Sequence, residues 1–192
     1  MALEHVDISS YDTFRADVMG RGFNVDGQYG YQCWDLGATL WGNTGNYAYP
    51  YLSTGGTGYA YGCWTVEWAR NQNAGNDFDL VWNLNDVKRG DMVILDRGRF
   101  SGDVSGHNAF ADEDYNGTTT MYLVGQNQEN PSATYGHVTT CNQMSVAKFL
   151  GAFRYKAWNS TPPTPPTPTQ KQNHFKWALY ARTLRLKRNN MI

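Results

Sequence analysis

Charge and cysteine are both scarce in this chain, and each shortage excludes a class of protein. Charged residues make up 17% of the 192 positions and hydrophobic residues 41%, which is the composition of a folded domain rather than of a disordered polymer. The three cysteines, Cys33, Cys63 and Cys141, are too far apart in sequence for a zinc ribbon or a dense disulfide framework. No apolar run is long enough to predict a membrane span, and the N-terminal segment lacks the basic and apolar parts of a signal peptide. We therefore expect synthesis in a cytoplasm.

Glycine and aromatic residues are plentiful instead. The 20 glycines and the aromatic fraction of 15% favour turns and short strands. Two helices are predicted near the N-terminus, over 10–19 and 32–43, and a third over about 65–71. Short β-favouring runs bounded by turn residues follow at 90–98, 105–117, 119–128 and 149–156. Helices followed by antiparallel strands predict an α+β domain over residues 1–158.

Cys33 is the candidate nucleophile, because it lies in the first turn of the second predicted helix. A helix N-terminus lowers the pKa of a thiol, and a neighbouring imidazole stabilises the thiolate. Of the four histidines, His107 follows Gly106 at the start of a predicted strand, and His137 is the second choice. Asn127, near the end of the next strand, is placed to accept from the imidazole, which would complete a set with the logic of papain-like catalysis. The alternative is that Cys33 is a buried, inert thiol.

Five segments carry a resemblance to a known family: DGQYGYQCWDL (26–36), GDMVIL (90–95), SGHNAFADEDYNG (105–117), YLVGQN (122–127) and FLGAFRYK (149–156). In this order, from about residue 23 to residue 156, they resemble the motifs of CHAP domains, the cysteine- and histidine-dependent amidohydrolases and peptidases. Many members are bacteriophage peptidoglycan hydrolases. The resemblance implies a papain-like fold, in which N-terminal helices pack on an antiparallel sheet.

The resemblance also implies roles for individual residues. Cys33 matches the nucleophile, His107 the general base and acid, and Asn127 the polar residue that orients the histidine. The backbone N–H of Cys33 is expected to form part of an oxyanion hole. Gln32 and Trp34, on either side of the cysteine, are expected to line the oxyanion site and the substrate groove.

The polar turn before the cysteine resembles the calcium loop of some phage CHAP domains. Its alternating spacing is similar to that of an EF-hand, with side-chain oxygens from Asn24, Asp26 and Asp35 and backbone carbonyls from Gln28 and Gly30. We therefore expect a structural Ca²⁺ ion, bound more weakly because the first ligand position holds the neutral Asn24. The alternative is a simple turn at Asp26 and the following glycine.

Together these features predict a phage endolysin that cleaves amide or peptide bonds of Gram-positive peptidoglycan. Such an enzyme is made in the host bacterial cytoplasm and acts at the cell wall after holin-dependent release. One alternative is a virion or tail-associated enzyme for DNA entry, and another is a cysteine hydrolase acting on a soluble amide. A catalytically idle wall-binding or tail module is a third, since Gly125 stands where many members carry a glutamate. Amidase and endopeptidase activities both stay open.

The C-terminal part differs from the rest in composition. Residues 159–170 form a Thr/Pro-rich linker, for which an extended conformation is expected. Residues 171–192 contain six basic residues and no acidic one, which leaves ten basic and 17 acidic residues in the remainder. This tail is predicted to be a short basic amphipathic helix that binds an anionic wall polymer, a membrane or another phage protein, or else a disordered end. No specific nucleic-acid site is predicted.

Overall fold

The structure, a computed structural model, describes residues 3–47, 51–128 and 135–159. Apart from Asn159, the predicted linker and basic tail lie outside the described residues. Five helices are present in the described part: α1 (Tyr11–Val18), α2 (Cys33–Asn43), α3 (Gly62–Thr65), α4 (Glu67–Ala74) and α5 (Lys156–Asn159). None of them is long and apolar enough to cross a bilayer.

Six strands form one antiparallel sheet. They are β1 (Phe78–Val81), β2 (Met92–Leu95), β3 (His107–Ala111), β4 (Thr120–Gly125), β5 (Thr140–Ser145) and β6 (Phe149–Tyr155). Their order in the sheet is β1-β6-β2-β3-β4-β5, and each neighbouring pair is antiparallel. This arrangement confirms the predicted α+β class, with the helices first and most of the sheet after them.

Aromatic side chains fill the core between the helices and one face of the sheet. Trp41 of α2 stacks on Phe78 of β1 with ring centroids 3.9 Å apart, and its indole N–H donates to a backbone carbonyl. Phe14 of α1 packs edge-on against Phe110 of β3. A smaller cluster around Val93 and Leu123 covers the other face. The two clusters pack on opposite faces of β2 and β3. The N-terminal end of β3 therefore lies in a packed environment next to α2.

The chain returns to the first helix at its last described element. Trp158 of α5 packs on Tyr11 and Phe14, and its Nε1 donates to the carbonyl oxygen of Ile8 at 2.9 Å. Helix α1 begins at a capping box, in which Ser10 Oγ and Thr13 Oγ1 each accept the other residue's backbone N–H. The contacts of Trp158 therefore join the end of the predicted catalytic region to its first helix.

Candidate active site

Cys33 is the first residue of α2, and Asp35 explains why the helix begins there. The buried carboxylate of Asp35 accepts the backbone N–H of Gln32 at 2.9 Å and that of Val25 at 2.7 Å. It therefore holds both the N-cap residue and the loop that precedes it. Burial is the main reason that the pKa of Asp35 is raised to about 7. The result is a cysteine fixed at the N-terminal end of α2.

The thiol of Cys33 is neutral at rest. Burial raises its pKa, and this effect outweighs the backbone hydrogen bond from Asn108 and the positive charge of Arg99, which both lower it. Asn108 is the second residue of β3, so this contact places the start of that strand beside the sulfur. A neutral thiol needs a base to remove its proton before it can attack.

His107, the first residue of β3, directly precedes Asn108 and is the candidate base. Its side chain is buried, and burial lowers the pKa of the imidazole to about 3, with a further lowering from Arg99. Gln128 and Asp103 act in the opposite direction but do not compensate. The imidazole is therefore neutral at pH 7, which is the form that accepts a proton.

The group that faces the imidazole is Gln128, not Asn127. The Gln128 amide nitrogen donates to the carbonyl oxygens of Leu123 and Thr140, at 3.0 and 2.9 Å, so its Oε1 is left as the acceptor beside His107. Neither this Oε1 nor the His107 Nε2 has a partner of full hydrogen-bond geometry among the described residues. Contacts of this kind often tighten only when substrate binds.

Asn127 and Gln126 instead contact Gln32, the residue before Cys33. The Asn127 amide donates to Gln32 Oε1 at 2.8 Å, and Gln32 Nε2 donates to the carbonyl oxygen of Tyr29 at 2.6 Å. Gln126 is fully buried and bonds both backbone groups of Phe23 and the carbonyl of Gln32. Of the predicted set, Asn127 therefore contacts Gln32 rather than His107, and Cys33 lies against the backbone of Asn108, the residue after His107.

Sequence reasoning missed Gln128 because of a backbone feature that spacing does not show. Asn127 has a φ of 53°, in the left-handed region that Asn tolerates better than most residues. Because of this turn, the side chains of residues 126–128, which follow β4, do not alternate between the two faces of the sheet as they would in a strand. The run Gln126-Asn127-Gln128 was a signal that amides are needed here, but it does not say which one faces the imidazole.

The cysteine lies in a groove of about 950 Å³. Gln32 and Trp34 line one side of it, together with Tyr29 and Asp26, and a glycine- and threonine-rich segment over 52–60 lines the other. Trp34 Nε1 donates to the carbonyl oxygen of Leu52 at 2.8 Å, which ties the two sides together. The groove is therefore open to an extended ligand, with the thiol on its wall.

One buried amide makes the second wall of the groove rigid. Asn73 accepts the Ser53 backbone N–H at 2.7 Å and donates to the Ser53 carbonyl at 2.8 Å, as a paired strand would. Thr54 and Thr57 then close the turn through hydrogen bonds within the segment. A wall held in this way presents backbone groups to a ligand in one fixed arrangement.

The five residues predicted to bind calcium lie in the loop before α2 and in its first turn. Asp26 accepts the Gln28 backbone N–H at 2.7 Å, and the charge of Asp26 contributes to the raised pKa of Asp35. The Asn24 Oδ1 is buried and has no hydrogen-bond partner among the described residues. Gly30 lies in the left-handed region, directly before Tyr31.

This donor set fits a hard cation. An unpartnered amide oxygen and two mutually repelling carboxylates in one loop are the chemistry that Ca²⁺ neutralises. The described residues hold no group of three or more His, Cys, Asp or Glu side chains placed to bind a metal, and only two of the five predicted ligands are acidic. The other ligands would have to be amide and backbone oxygens.

The remaining cysteines have other surroundings. Cys63 is fully buried in α3, and burial raises the pKa of its thiol, with a smaller contribution from the nearby Cys33. Cys141 donates to Asp112 at 3.3 Å on the far side of β4. All three thiols are free. Of the three, only Cys33 is the first residue of a helix and lines the groove.

The fold is similar to that of a solved endolysin. A crystal structure of a wild type endolysin, LysIME-EF1, matches the chain with a TM-score of 0.59 and 25% sequence identity. The match covers 79% of this chain and 65% of that chain, so less than two thirds of the endolysin's length has a counterpart here. No protein-family model matches the sequence, and no curated protein is significantly similar to it. The chain therefore has an endolysin-like α+β fold.

Proposed function

We propose that this protein is a peptidoglycan hydrolase of the CHAP type, with Cys33 as its nucleophile. The observation that carries the proposal is the placement of Cys33, at a helix N-terminus that opens on the groove and against the backbone of Asn108, the residue that follows the buried His107. The similarity to an endolysin supports peptidoglycan as the substrate. Gram-positive walls, and a phage endolysin or virion enzyme as the context, follow from the resemblance of the motifs.

The chemistry begins with proton transfer from the Cys33 thiol to the neutral His107. The thiolate attacks the carbonyl carbon of the scissile amide, and the negative charge moves to the carbonyl oxygen. The C–N bond then breaks as His107 returns the proton to the leaving amine, which leaves a thioester on Cys33. Water, deprotonated by His107, hydrolyses the thioester and restores the thiol.

Neighbouring groups orient this reaction. The backbone N–H of Cys33 has no partner within its own helix, because it is one of the first amides of α2, and it serves as an oxyanion donor. Gln128 would accept from one ring nitrogen of His107, which leaves the other ring nitrogen to act as the base. Asn127 acts one step away, by holding the side chain of Gln32 beside the cysteine.

Calcium has a structural part in this proposal. Asn24, Asp26 and Asp35 would hold the ion through side chains, and Gln28 and Gly30 through carbonyl oxygens. The ion would supply positive charge that neutralises the carboxylates and fixes the loop on which α2 begins. Asp35 connects the ion site to the start of α2, since its carboxylate also accepts the backbone N–H of Gln32.

The domain division and the tail also belong to the proposal. The catalytic domain spans 1–158, and the basic segment 171–192 binds an anionic wall polymer, a membrane or another phage protein through the linker 159–170. The enzyme is made in the host cytoplasm and reaches the wall after holin-dependent release, or it is carried in the virion.

The test is clearing of purified Gram-positive peptidoglycan by the wild type and by Cys33→Ala. We expect the wild type to reduce the turbidity and the variant to leave it unchanged. Mass spectrometry of the soluble products assigns the bond: free stem peptides beginning with L-alanine indicate an amidase, and new termini within the peptide indicate an endopeptidase. A folded wild type that leaves walls from several hosts intact would contradict the proposal.

A further inference from the structure

A buried ion pair lies behind His107. Arg99 Nε contacts Asp103 Oδ2 at 2.8 Å, with side chains only 11% and 1% exposed. Both residues belong to the loop 96–106, which connects the end of β2 to the start of β3. A buried ion pair contributes little net stability, because desolvation offsets the attraction, so stability alone is a weak reason for this one.

The ion pair holds the residue before the histidine from both sides. Arg99 Nη2 donates to the carbonyl oxygen of Gly106 at 3.0 Å, and Asp103 Oδ1 accepts the Gly106 N–H at 3.1 Å. Gly106 has a φ of +68°, and a Cβ at this position would lie 2.5 Å from the carbonyl oxygen of Leu95. The chain therefore enters β3 in a single conformation, with His107 as the next residue.

The same two charges act on the imidazole with opposite signs. Burial is the largest cause of the lowered pKa of His107; Arg99 lowers it further, and Asp103 raises it. Gln128 faces the ring from just beyond the end of β4, and the Cys33 thiol lies against the backbone of Asn108 at the start of β3. Although burial opposes it, the hydrogen bond and charge of Arg99 hold the pKa of Asp103 below its usual value, so the pair is ionised at neutral pH.

We propose that the Arg99–Asp103 pair is a positioning device for His107, which clamps the Gly106 peptide so that the imidazole keeps one orientation and one neutral tautomer beside Cys33. This inference rests on the proposed function, in which His107 is the base. Arg99 and Asp103 act through the Gly106 peptide and through their charges, so they are positioning rather than catalytic residues.

The experiment compares Arg99→Gln, Arg99→Lys and Asp103→Asn in the full chain. Arg97→Gln is the matched control, because Arg97 is in the same loop but pairs with Asp96 at the surface, with 54% of its side chain exposed. Each variant is measured for thermal unfolding, for the initial rate of peptidoglycan clearing, and for the ring ¹⁵N shifts of His107, assigned with a His107→Gln sample.

We expect clearing by Arg99→Gln to fall on the order of 100-fold, since a displaced base loses near-attack geometry. The ring ¹⁵N shifts should change from those of one tautomer to averaged values. The midpoint of the pH titration of the His107 imidazole should rise by about one pH unit. Asp103→Asn should not raise that midpoint, and Arg97→Gln should match the wild type. A loss of structure alone would not explain a titration midpoint of His107 that rises in Arg99→Gln but not in Asp103→Asn.

Normal shifts and normal clearing in a folded Arg99→Gln would overturn the proposal. If that variant does not fold, Arg99→Lys decides, because it keeps the charge but lacks the planar fork with which Arg99 bonds Asp103 and Gly106 at once. Full clearing by Arg99→Lys would then contradict the clamp, and reduced clearing by a folded protein would support it. The ring shifts need no substrate, so a wild type that fails to clear walls contradicts the proposed function without deciding the role of Arg99.

Discussion

The carboxamide of Gln128 lies against the imidazole of His107, and its orientation is fixed by two backbone carbonyls. Leu123 and Thr140 accept both amide hydrogens of Gln128, so a flip that turned the amide nitrogen to the histidine would cost two hydrogen bonds. Only the oxygen is left to accept from the ring. A hydrogen bond from the ring to this oxygen, once formed, would select the tautomer of His107.

Replacing Gln128 should impair catalysis more than replacing Asn127. Gln128→Leu removes the acceptor, and we expect clearing to fall about 10- to 100-fold, as for other groups that orient a reacting imidazole. Asn127→Gly is the matched variant, since glycine keeps the positive φ and loses only the bond to Gln32. Clearing rates, with unfolding curves to correct for stability, provide the comparison. A larger loss in Asn127→Gly would return the orienting role to Asn127.

Cys33 and Cys63 should separate activity from stability. Cys33→Ala should lose clearing by at least about 1000-fold and keep its unfolding free energy, because the sulfur is at the groove and removal of a covalent nucleophile is severe. Cys63→Ala should keep most activity and lose about 1 kcal/mol of stability, since it leaves a small cavity in the core. Urea unfolding and turbidity measurements test both. An inactive but stable Cys63→Ala would contradict this assignment.

The fold was predictable where pattern and capping agree. Helix α2 begins at Cys33, one residue after the predicted start, because Gln32 is its N-cap and forms a capping box with Asp35. The edge strands β1 and β5 were not predicted. β1 is only four residues long, and β5 (TCNQMS) is mostly polar and half exposed, so neither has an apolar pattern. The predicted third helix is divided in two, because Val66 adopts an extended conformation between α3 and α4.

The sequence singled out the candidate catalytic residues, but not the residues that surround them in the structure. Cys33 and His107 stand in motifs whose neighbours constrain them. The support from Arg99 and Gln128 depends on how a loop folds back and where a strand ends, and single-sequence spacing contains neither. Charges such as Arg99 are also expected at the surface, so burial of this one had no sequence signal.

The buried histidine makes acid stability a test of the site. The pKa of His107 is about 3 in the folded protein, against 6.5 in the unfolded chain, so the unfolded state binds more protons between these values. Its contribution to stability is complete above pH 6.5 and falls as the pH drops toward 3. Asp35 acts oppositely, since its raised folded pKa of about 7 favours the folded state as the pH falls from 7 to 4.

His107→Gln should therefore gain stability relative to the wild type as the pH is lowered from 6.5 to 4.5, by at most about 1.4 kcal/mol per pH unit. Asp35→Asn should lose stability relative to the wild type over the same range. The unfolding free energy is measured by urea titration with a chelator present, so that no bound ion affects Asp35. Parallel curves for the wild type and His107→Gln would show that His107 is not buried as a neutral group.

Calcium should stabilise the loop before α2 and, through it, the position of Cys33. A bound cation would be coordinated by the unpartnered Asn24 Oδ1 and would reduce the repulsion between Asp26 and Asp35. A ligand that binds only the folded state, present at 100 times its dissociation constant, adds about 2.7 kcal/mol to the free energy of unfolding. The melting temperature should therefore rise with added Ca²⁺ and fall with EDTA.

Asp26→Asn should abolish this response while keeping the turn, because its amide oxygen still accepts the Gln28 N–H. Asp86→Asn, an acid outside the loop, should respond as the wild type does. If Ca²⁺ shifts neither the melting temperature nor the clearing rate of the wild type, the loop is a turn held by hydrogen bonds, and Asp35 acts only as the anchor at the start of α2.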